Sequence, residues 1–363
     1  MDKELNTPDT AGAVGKMPKK KNKLVWSALS VLIAAVTVWA VVSQNKNFSL
    51  GEFMESIGGA NPWWIGAAVL SMLGYIWFEA AALLCILREF GHRLNPFRGV
   101  VYSSADLYFS AITPSATGGQ PASAYFMHCD GISGTLAAVV LLGNLLMYAC
   151  STMGAAMIST AIAPLTITRF GVLSRILIVA GFLVQFALLL LIILIIKKEK
   201  IIFSAGARLV TLLGKMKIIK DPEAKKEKIA HSMEEYREHA AFLAGKKKMM
   251  GKVLIFNMVQ RICQILVTVF TYLALGNPGH DVIKAFSIQT YSQIGAYCVP
   301  IPGSMGVTDY LMLDGFSSVI ADESMIVNFE LLSRTLSFYS CIFICGMIVL
   351  FSYLLGKKRR DAR

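Results

Sequence analysis

Two stretches of the chain combine helix-breaking residues with polar side chains in otherwise apolar surroundings. The first runs Ala111-Ile112-Thr113-Pro114-Ser115-Ala116-Thr117-Gly118-Gly119-Gln120-Pro121. Its prolines lack a backbone donor, and its glycines permit turns that other residues resist. Ser103, Ser104, Asp106, Thr113, Ser115, Thr117 and Gln120 make this one of the most polar apolar-flanked parts of the chain. The second, YCVPIPGSMGVTD from Tyr297 to Asp309, follows Gln289, Thr290, Ser292 and Gln293. Ionisable groups lie in or beside these stretches and inside apolar runs: Glu79, Asp106, Arg261, Asp309 and Arg334. Arg261 and Arg334 could hold a phosphate, while Glu79, Asp106 and Asp309 could pair with them or with a cationic headgroup. Internal ion pairing between helices is the competing reading for each. The candidate binding residues are therefore Asp106, Thr113, Pro114, Ser115, Gly118, Gly119, Gln120, Arg261, Pro302, Gly303, Gly306, Asp309 and Arg334.

The elements that must position these groups are long apolar helices. The chain has 363 residues, of which 55% are apolar and only 16% charged; a soluble chain carries roughly a quarter charged residues. Apolar runs long enough to cross a ~30 Å hydrocarbon layer recur along it. Spanning helices are expected at about 24–43, 62–87, 132–160, 172–196, 252–275 and 331–355. The fold class is an all-α polytopic membrane protein of about six spans plus two broken segments, near 100–130 and 281–325. At membrane depth, broken backbone survives only where it is buried in protein or lines a wet cavity.

Charge fixes the expected topology. Of the 35 Lys and Arg, 29 fall in the N-terminal tail (1–23), after the second span, between Lys197 and Lys252 or in the C-terminal tail (357–363). The positive-inside rule places these on the cytoplasmic side, with both termini inside a plasma or inner membrane. The opposite side holds Lys46 and Arg169, and its last loop reads as acidic: Asp314, Asp322, Glu323 and Glu330. The threading closes only if the two broken segments are re-entrant from opposite faces, 100–130 from inside and 281–325 from outside. Their shared order of helix, Pro/Gly break and helix suggests an inverted pseudo-repeat, whose two half-helix tips would aim free N–H groups at an anion such as a lipid phosphate. Trp63 and Trp64 suit an interfacial anchor.

Within the 197–251 loop a helix should start at Asp221-Pro222-Glu223, where an N-cap precedes proline at the first helical position. Ile229, Met233, Tyr236, Ala240 and Leu243 form one apolar stripe, with Lys225, Lys226, Lys228, Arg237 and Lys246 to Lys248 around it. Such a helix either rests on an anionic leaflet or docks onto the bundle.

Several function classes find little support. The net charge of +12 belongs to loops between apolar runs, with no nucleic-acid-binding signature beside it. The five His (92, 128, 231, 239 and 280) form no metal-ligand pattern, and no Walker-type phosphate loop occurs. No cofactor is expected. Seven Cys without a C-x-x-C pair read as small apolar residues in a reducing setting.

At FSAITPSATGGQPASAY (Phe109 to Tyr125), Gly131-Ile132-Ser133 and PIPGSMGVTD (Pro300 to Asp309), the chain resembles the lysylphosphatidylglycerol synthetase membrane-region, or flippase-like domain, family. That family includes the N-terminal membrane half of the multiple peptide resistance factor. The resemblance spans about 24–355 and implies a membrane domain, 24–356, that moves aminoacylated phosphatidylglycerol between leaflets. In full-length relatives a cytosolic domain makes that lipid from charged tRNA. Here the chain stops at Arg363, so that domain is expected to be missing and the chain is not expected to catalyse alone. Where the family commonly has Glu after the second motif, this chain has Asp309. Translocation or binding of anionic or aminoacylated phospholipid ranks first. Phosphatidylglycerol lysyltransferase-type modification relying on a separate soluble synthetase ranks second, and a small-solute carrier third; homo-oligomerisation stays open.

Overall fold

The computed structural model describes residues 50–197 and 222–361, all within one structural unit, Ser49–Arg363. The expected first span at 24–43, the whole basic N-terminal tail (1–23) and the N-cap at Asp221 lie outside the described residues. The described part is all helical, with no strand. Helix α1 (Leu50–Gly59) precedes α2 (Pro62–Glu89), α3 (Pro96–Ile112), α4 (Gly119–Cys129), α5 (Gly134–Ile162) and α6 (Val172–Lys197). After the loop come α7 (Pro222–Gly245), α8 (Lys247–Ala274), α9 (Val282–Ala296), α10 (Val307–Phe316), α11 (Glu323–Arg334) and α12 (Ser340–Asp361). Among the described residues, α2, α5, α6, α8 and the continuous Ser324–Leu355 stretch are long and apolar enough to cross a membrane. They match the expected second to sixth spans.

Local chemistry sets the helix starts. The Asn61 and Asn95 side chains each accept a 3.0 Å hydrogen bond from the backbone two residues on, and proline occupies the first helical position after both. Ser133 caps α5 by accepting from the Leu136 N–H at 3.2 Å. Outward-facing apolar side chains such as Leu70, Leu183, Phe343 and Phe351 remain exposed, as a bundle surrounded by lipid requires. Trp63 is 86% exposed at the start of α2, and Trp64 stacks on Phe270 at 5.6 Å.

Each broken segment folds as a helical hairpin too short to span. Helices α3 and α4, of 17 and 11 residues, reach about 25 and 16 Å. Helices α9 and α10, of 15 and 10 residues, reach about 22 and 15 Å. Within each hairpin the arms pack together, and the 3-10 turns that join them, Pro114–Ala116 and Pro302–Ser304, lie against each other. At the base of the first hairpin Arg98 pairs with Asp130, which also accepts from the Tyr102 hydroxyl at 2.5 Å. Arg98 further reaches Ser352 near the end of α12. At the base of the second, Asp314 accepts from the Gly171 N–H at 2.8 Å, and α11 begins just beyond. The hairpin bases therefore sit at opposite ends of the Ser324–Leu355 helix, with Phe338 midway packed on the second break at Gly303. This is the opposed arrangement expected of the two broken segments. A π-helical turn, Thr335–Tyr339, joins α11 to α12 beside the breaks, and such turns cluster at functional sites.

One expectation changes and one open choice is resolved. Glu330 is not in an acidic loop: it is 3% exposed within α11. Asp314 likewise sits in the last turn of α10. Helix α7 docks on the bundle. Tyr236, Ala240 and Leu243 join the core around Leu83, Val140 and Val253, Thr135 donates to Glu235 at 2.7 Å, and Lys246 pairs with Glu89 at 3.1 Å. Arg237, Lys247 and Lys248 stay exposed around that docked stripe.

Candidate functional site

The first tip is built by Thr113, Gly119 and Asp106. Thr113 Oγ1 donates to the Phe109 carbonyl at 2.6 Å and accepts the Gly118 N–H at 2.9 Å, closing the turn after α3. Ser115 and Ala116 adopt left-handed backbone, φ 52° and 54°, a conformation disfavoured for residues with a Cβ. Gly119 opens α4 hard against α3: a Cβ there would overlap the Asp106 carboxyl and the Ser110 hydroxyl and lie 2.5 Å from the Asp106 carbonyl oxygen. Asp106 accepts from Ser110 at 3.1 Å and from Gln120 at 2.7 Å. The positive end of α4 is thus already faced by an anion of the chain itself.

The second tip repeats this solution. Gly303 (φ 62°), Ser304 (φ 51°) and Gly306 (φ 79°) turn the backbone, and Asp309 Oδ2 accepts the Gly306 N–H at 2.8 Å, capping α10. Asp309 Oδ1 lies 2.6 Å from Arg334 Nε, with Glu330 at 3.8 Å on the other side. The Arg334 guanidinium also covers the Phe338 ring at 5.0 Å. So Asp309 and Arg334, both candidate binding residues, meet each other in a buried pair. Neither helix tip offers an empty anion seat of the kind the sequence suggested, because each carries its own carboxylate.

The unbalanced positive charge is Arg261. It is 2% exposed in the middle of α8, and no ion pair joins it to a carboxylate among the described residues. Its Nη1 donates to Gln264 (2.5 Å) and Gln293 (3.1 Å), and its Nη2 to Thr152 (2.9 Å) and Tyr297 (3.0 Å). The guanidinium lies 4.5 Å from the centre of the Tyr148 ring, and its Nε is buried without a partner. A guanidinium held by neutral groups keeps its full charge, and a buried charge without a counter-ion is costly.

Two buried polar clusters lie between the breaks, one around Asp106 and Glu79 and one around Arg261. Gln120, just past the first, donates to Asp106, which lies beside Glu79. Glu79, 4% exposed, accepts from Gln260 at 3.0 Å; Gln260 adjoins Arg261, which reaches Tyr297 at the mouth of the second break. Of the candidates, Asp106, Thr113, Gly118, Gly119 and Gln120 gather at the first tip, Gly303, Gly306, Asp309 and Arg334 at the second, and Arg261 between helices α5, α8 and α9. Pro114, Ser115 and Pro302 belong to the 3-10 turns. Tyr148, Thr152, Gln260, Gln264 and Glu330 were not singled out from sequence. Their signal was present as Tyr148/Thr152 and Gln260/Gln264, polar pairs one helical turn apart inside apolar runs.

Among known proteins, residues 27–345 match the family described as the lysylphosphatidylglycerol synthase TM region. The chain belongs to that family. A UPF0104 membrane protein from Pyrococcus horikoshii is 26% identical over 156 residues, which cover 42% of this chain and 46% of that protein. The lysylphosphatidylglycerol synthase TM region match takes in both breaks and every site residue named above, from Glu79 to Arg334.

Proposed function

We propose that this protein binds phospholipid and moves it between membrane leaflets through the site between the two breaks, with anionic or aminoacylated phosphatidylglycerol as the lipid class. The observation that carries this reading is the meeting of two opposed, non-spanning hairpins whose turns touch. Between them lie buried polar clusters, one of which holds a cation without a carboxylate partner among the described residues. A bundle needing only stability has no use for broken backbone and buried charge at that depth, where each ionisable group costs several kcal/mol unless paired or hydrated. The family description, which names a lysylphosphatidylglycerol synthase, supports the lipid class. The distribution of Lys and Arg supports a plasma or inner membrane with both termini in the cytoplasm.

The same family description favours a second reading: the chain is the membrane part of a lysyl-transferring system whose chemistry a separate soluble synthetase supplies. Purified chain in liposomes separates the two. Accelerated leaflet exchange of fluorescent phosphatidylglycerol, lost in folded Asp309→Asn, supports movement. Exchange no faster than in empty vesicles, under any gradient, moves the reading to a lipid-holding subunit.

A further inference from the structure

We infer that Arg261 is the seat of a singly charged phosphodiester, the anionic group common to glycerophospholipid headgroups and soluble glycerophosphodiesters. This rests on the lipid reading only for the source of the phosphodiester, not for its chemistry.

Three observations converge on Arg261. The residue is 2% exposed and lacks a carboxylate partner among the described residues, whereas Arg334, 6% exposed, has two. A guanidinium has five N–H groups. Here Nη1 and Nη2 are engaged by four neutral oxygens while the Nε–H, buried, meets no acceptor. Finally, the Tyr297 hydroxyl accepts from the guanidinium and can accept from the Tyr148 hydroxyl 3.4 Å away, which leaves its own hydrogen to donate; the Thr152 hydroxyl also accepts from the guanidinium but already donates to the Tyr148 carbonyl at 3.1 Å. One free N–H and one hydroxyl donor beside a single positive charge suit an oxyanion, whose charge-assisted bonds are about twice as strong as neutral ones. The Tyr148 ring closes one face of the guanidinium, which confines approach to the other side.

The charge count selects the class of anion. One guanidinium neutralises one negative charge, and the carboxyl of Glu79 lies in the adjoining cluster, held by Gln260. Glu79 lies within electrostatic reach of Tyr75 and Tyr148, as Arg261 does. A diester monoanion leaves the seat neutral. A monoester dianion would leave excess negative charge buried beside an acid, which is penalised at low dielectric.

The test uses the full chain purified in detergent, with ligand binding read by shifts in thermal stability and by retained lipid in native mass spectra. The probes are short-chain phosphatidylglycerol, short-chain phosphatidic acid at a pH where it is a dianion, glycerophosphoglycerol and inorganic phosphate. Phosphatidylglycerol is expected to bind wild type at least tenfold more tightly than Arg261→Gln, with Arg261→Lys between them, and at least tenfold more tightly than phosphatidic acid. If Arg261→Gln fails to fold, Tyr297→Phe, which removes one donor and keeps the charge, is expected to weaken phosphatidylglycerol by several-fold. Equal phosphatidylglycerol binding by wild type and a folded Arg261→Gln overturns the seat, as does phosphatidic acid or inorganic phosphate binding as tightly as the diester. Glycerophosphoglycerol competing on equal terms with the lipid upholds the seat but turns the Proposed function toward a soluble solute. Lipid exchange that persists while Arg261→Gln binds normally overturns the seat and leaves lipid movement standing.

Discussion

Gly119→Ala is the smallest change that should disable the first tip. The added Cβ would overlap the Asp106 carboxyl and the Ser110 hydroxyl, and would sit 2.5 Å from the Asp106 carbonyl oxygen. The carbonyl cannot swing aside, so α4 must withdraw from α3 by roughly 1 Å to restore a normal contact of about 3.5 Å. That shift stretches the 2.7 Å bond from Gln120 and displaces Ser110 from its 3.1 Å contact with Asp106. Overpacking costs about 1–3 kcal/mol, and losing a hydrogen bond to a charged group about 1.5–3 kcal/mol. Removing a helical glycine returns only about 0.5–1 kcal/mol. The net expectation is a loss of about 2–5 kcal/mol concentrated at the tip. Gly134, at the start of α5 with nothing within 4 Å of its added Cβ, is the control. Thermal unfolding of purified protein and lipid exchange in liposomes should both fall sharply for Gly119→Ala and stay unchanged for Gly134→Ala. A Gly119→Ala protein indistinguishable from Gly134→Ala in both assays would refute the claim that Asp106 clamps the break.

At the second tip, Asp309→Asn or Arg334→Gln alone should lower stability by about 3–5 kcal/mol, because each leaves a buried charged partner. The double variant should be less destabilised than the two singles summed, as a double-mutant cycle by thermal or chemical unfolding would show. Gly303→Ala combines left-handed backbone with a Cβ 2.9 Å from Phe338 Cε2. It should lose stability by about 1–3 kcal/mol, part of which Gly303→Ala with Phe338→Ala recovers in the same measurement. Tyr236→Ala with Leu243→Ala should release α7 from the bundle at about 2–5 kcal/mol per large buried side chain. Limited proteolysis should then cut within 222–245 while the remaining bundle stays intact.

How far the sequence could be read follows from the range of each interaction. The spans and the breaks were legible because length, apolar content and Pro/Gly placement are local properties. The predicted ranges 62–87, 132–160 and 172–196 lie within a few residues of Pro62–Glu89, Gly134–Ile162 and Val172–Lys197. The two opposed hairpins were legible because each carries its own Pro/Gly break between short apolar helices. Partners were not legible. Glu330, one helical turn before Arg334, was the only local cue that separates it from Arg261; Asp309 on one side, and the Thr152, Gln293 and Tyr297 groups around Arg261 on the other, come from distant elements. Glu330 was assigned to a loop because the charged stretch before it masks the onset of α11, whose buried face appears only when α10 and the Phe316–Phe329 contact are in place. The choice between leaflet and bundle for α7 was equally non-local. The same stripe suits either surface, and Glu89, Phe90 and Thr135 decide it.

The central claim is that the site between the two breaks handles lipid. The most direct measurement is leaflet exposure of fluorescent phosphatidylglycerol and its lysyl derivative in liposomes carrying wild type, Arg261→Gln or no protein. Folding of both proteins would be verified by their melting curves. The account predicts exchange accelerated by wild type for at least one of the two lipids and returned to the empty-vesicle rate by Arg261→Gln. Exchange by a folded Arg261→Gln protein as fast as by wild type would contradict it.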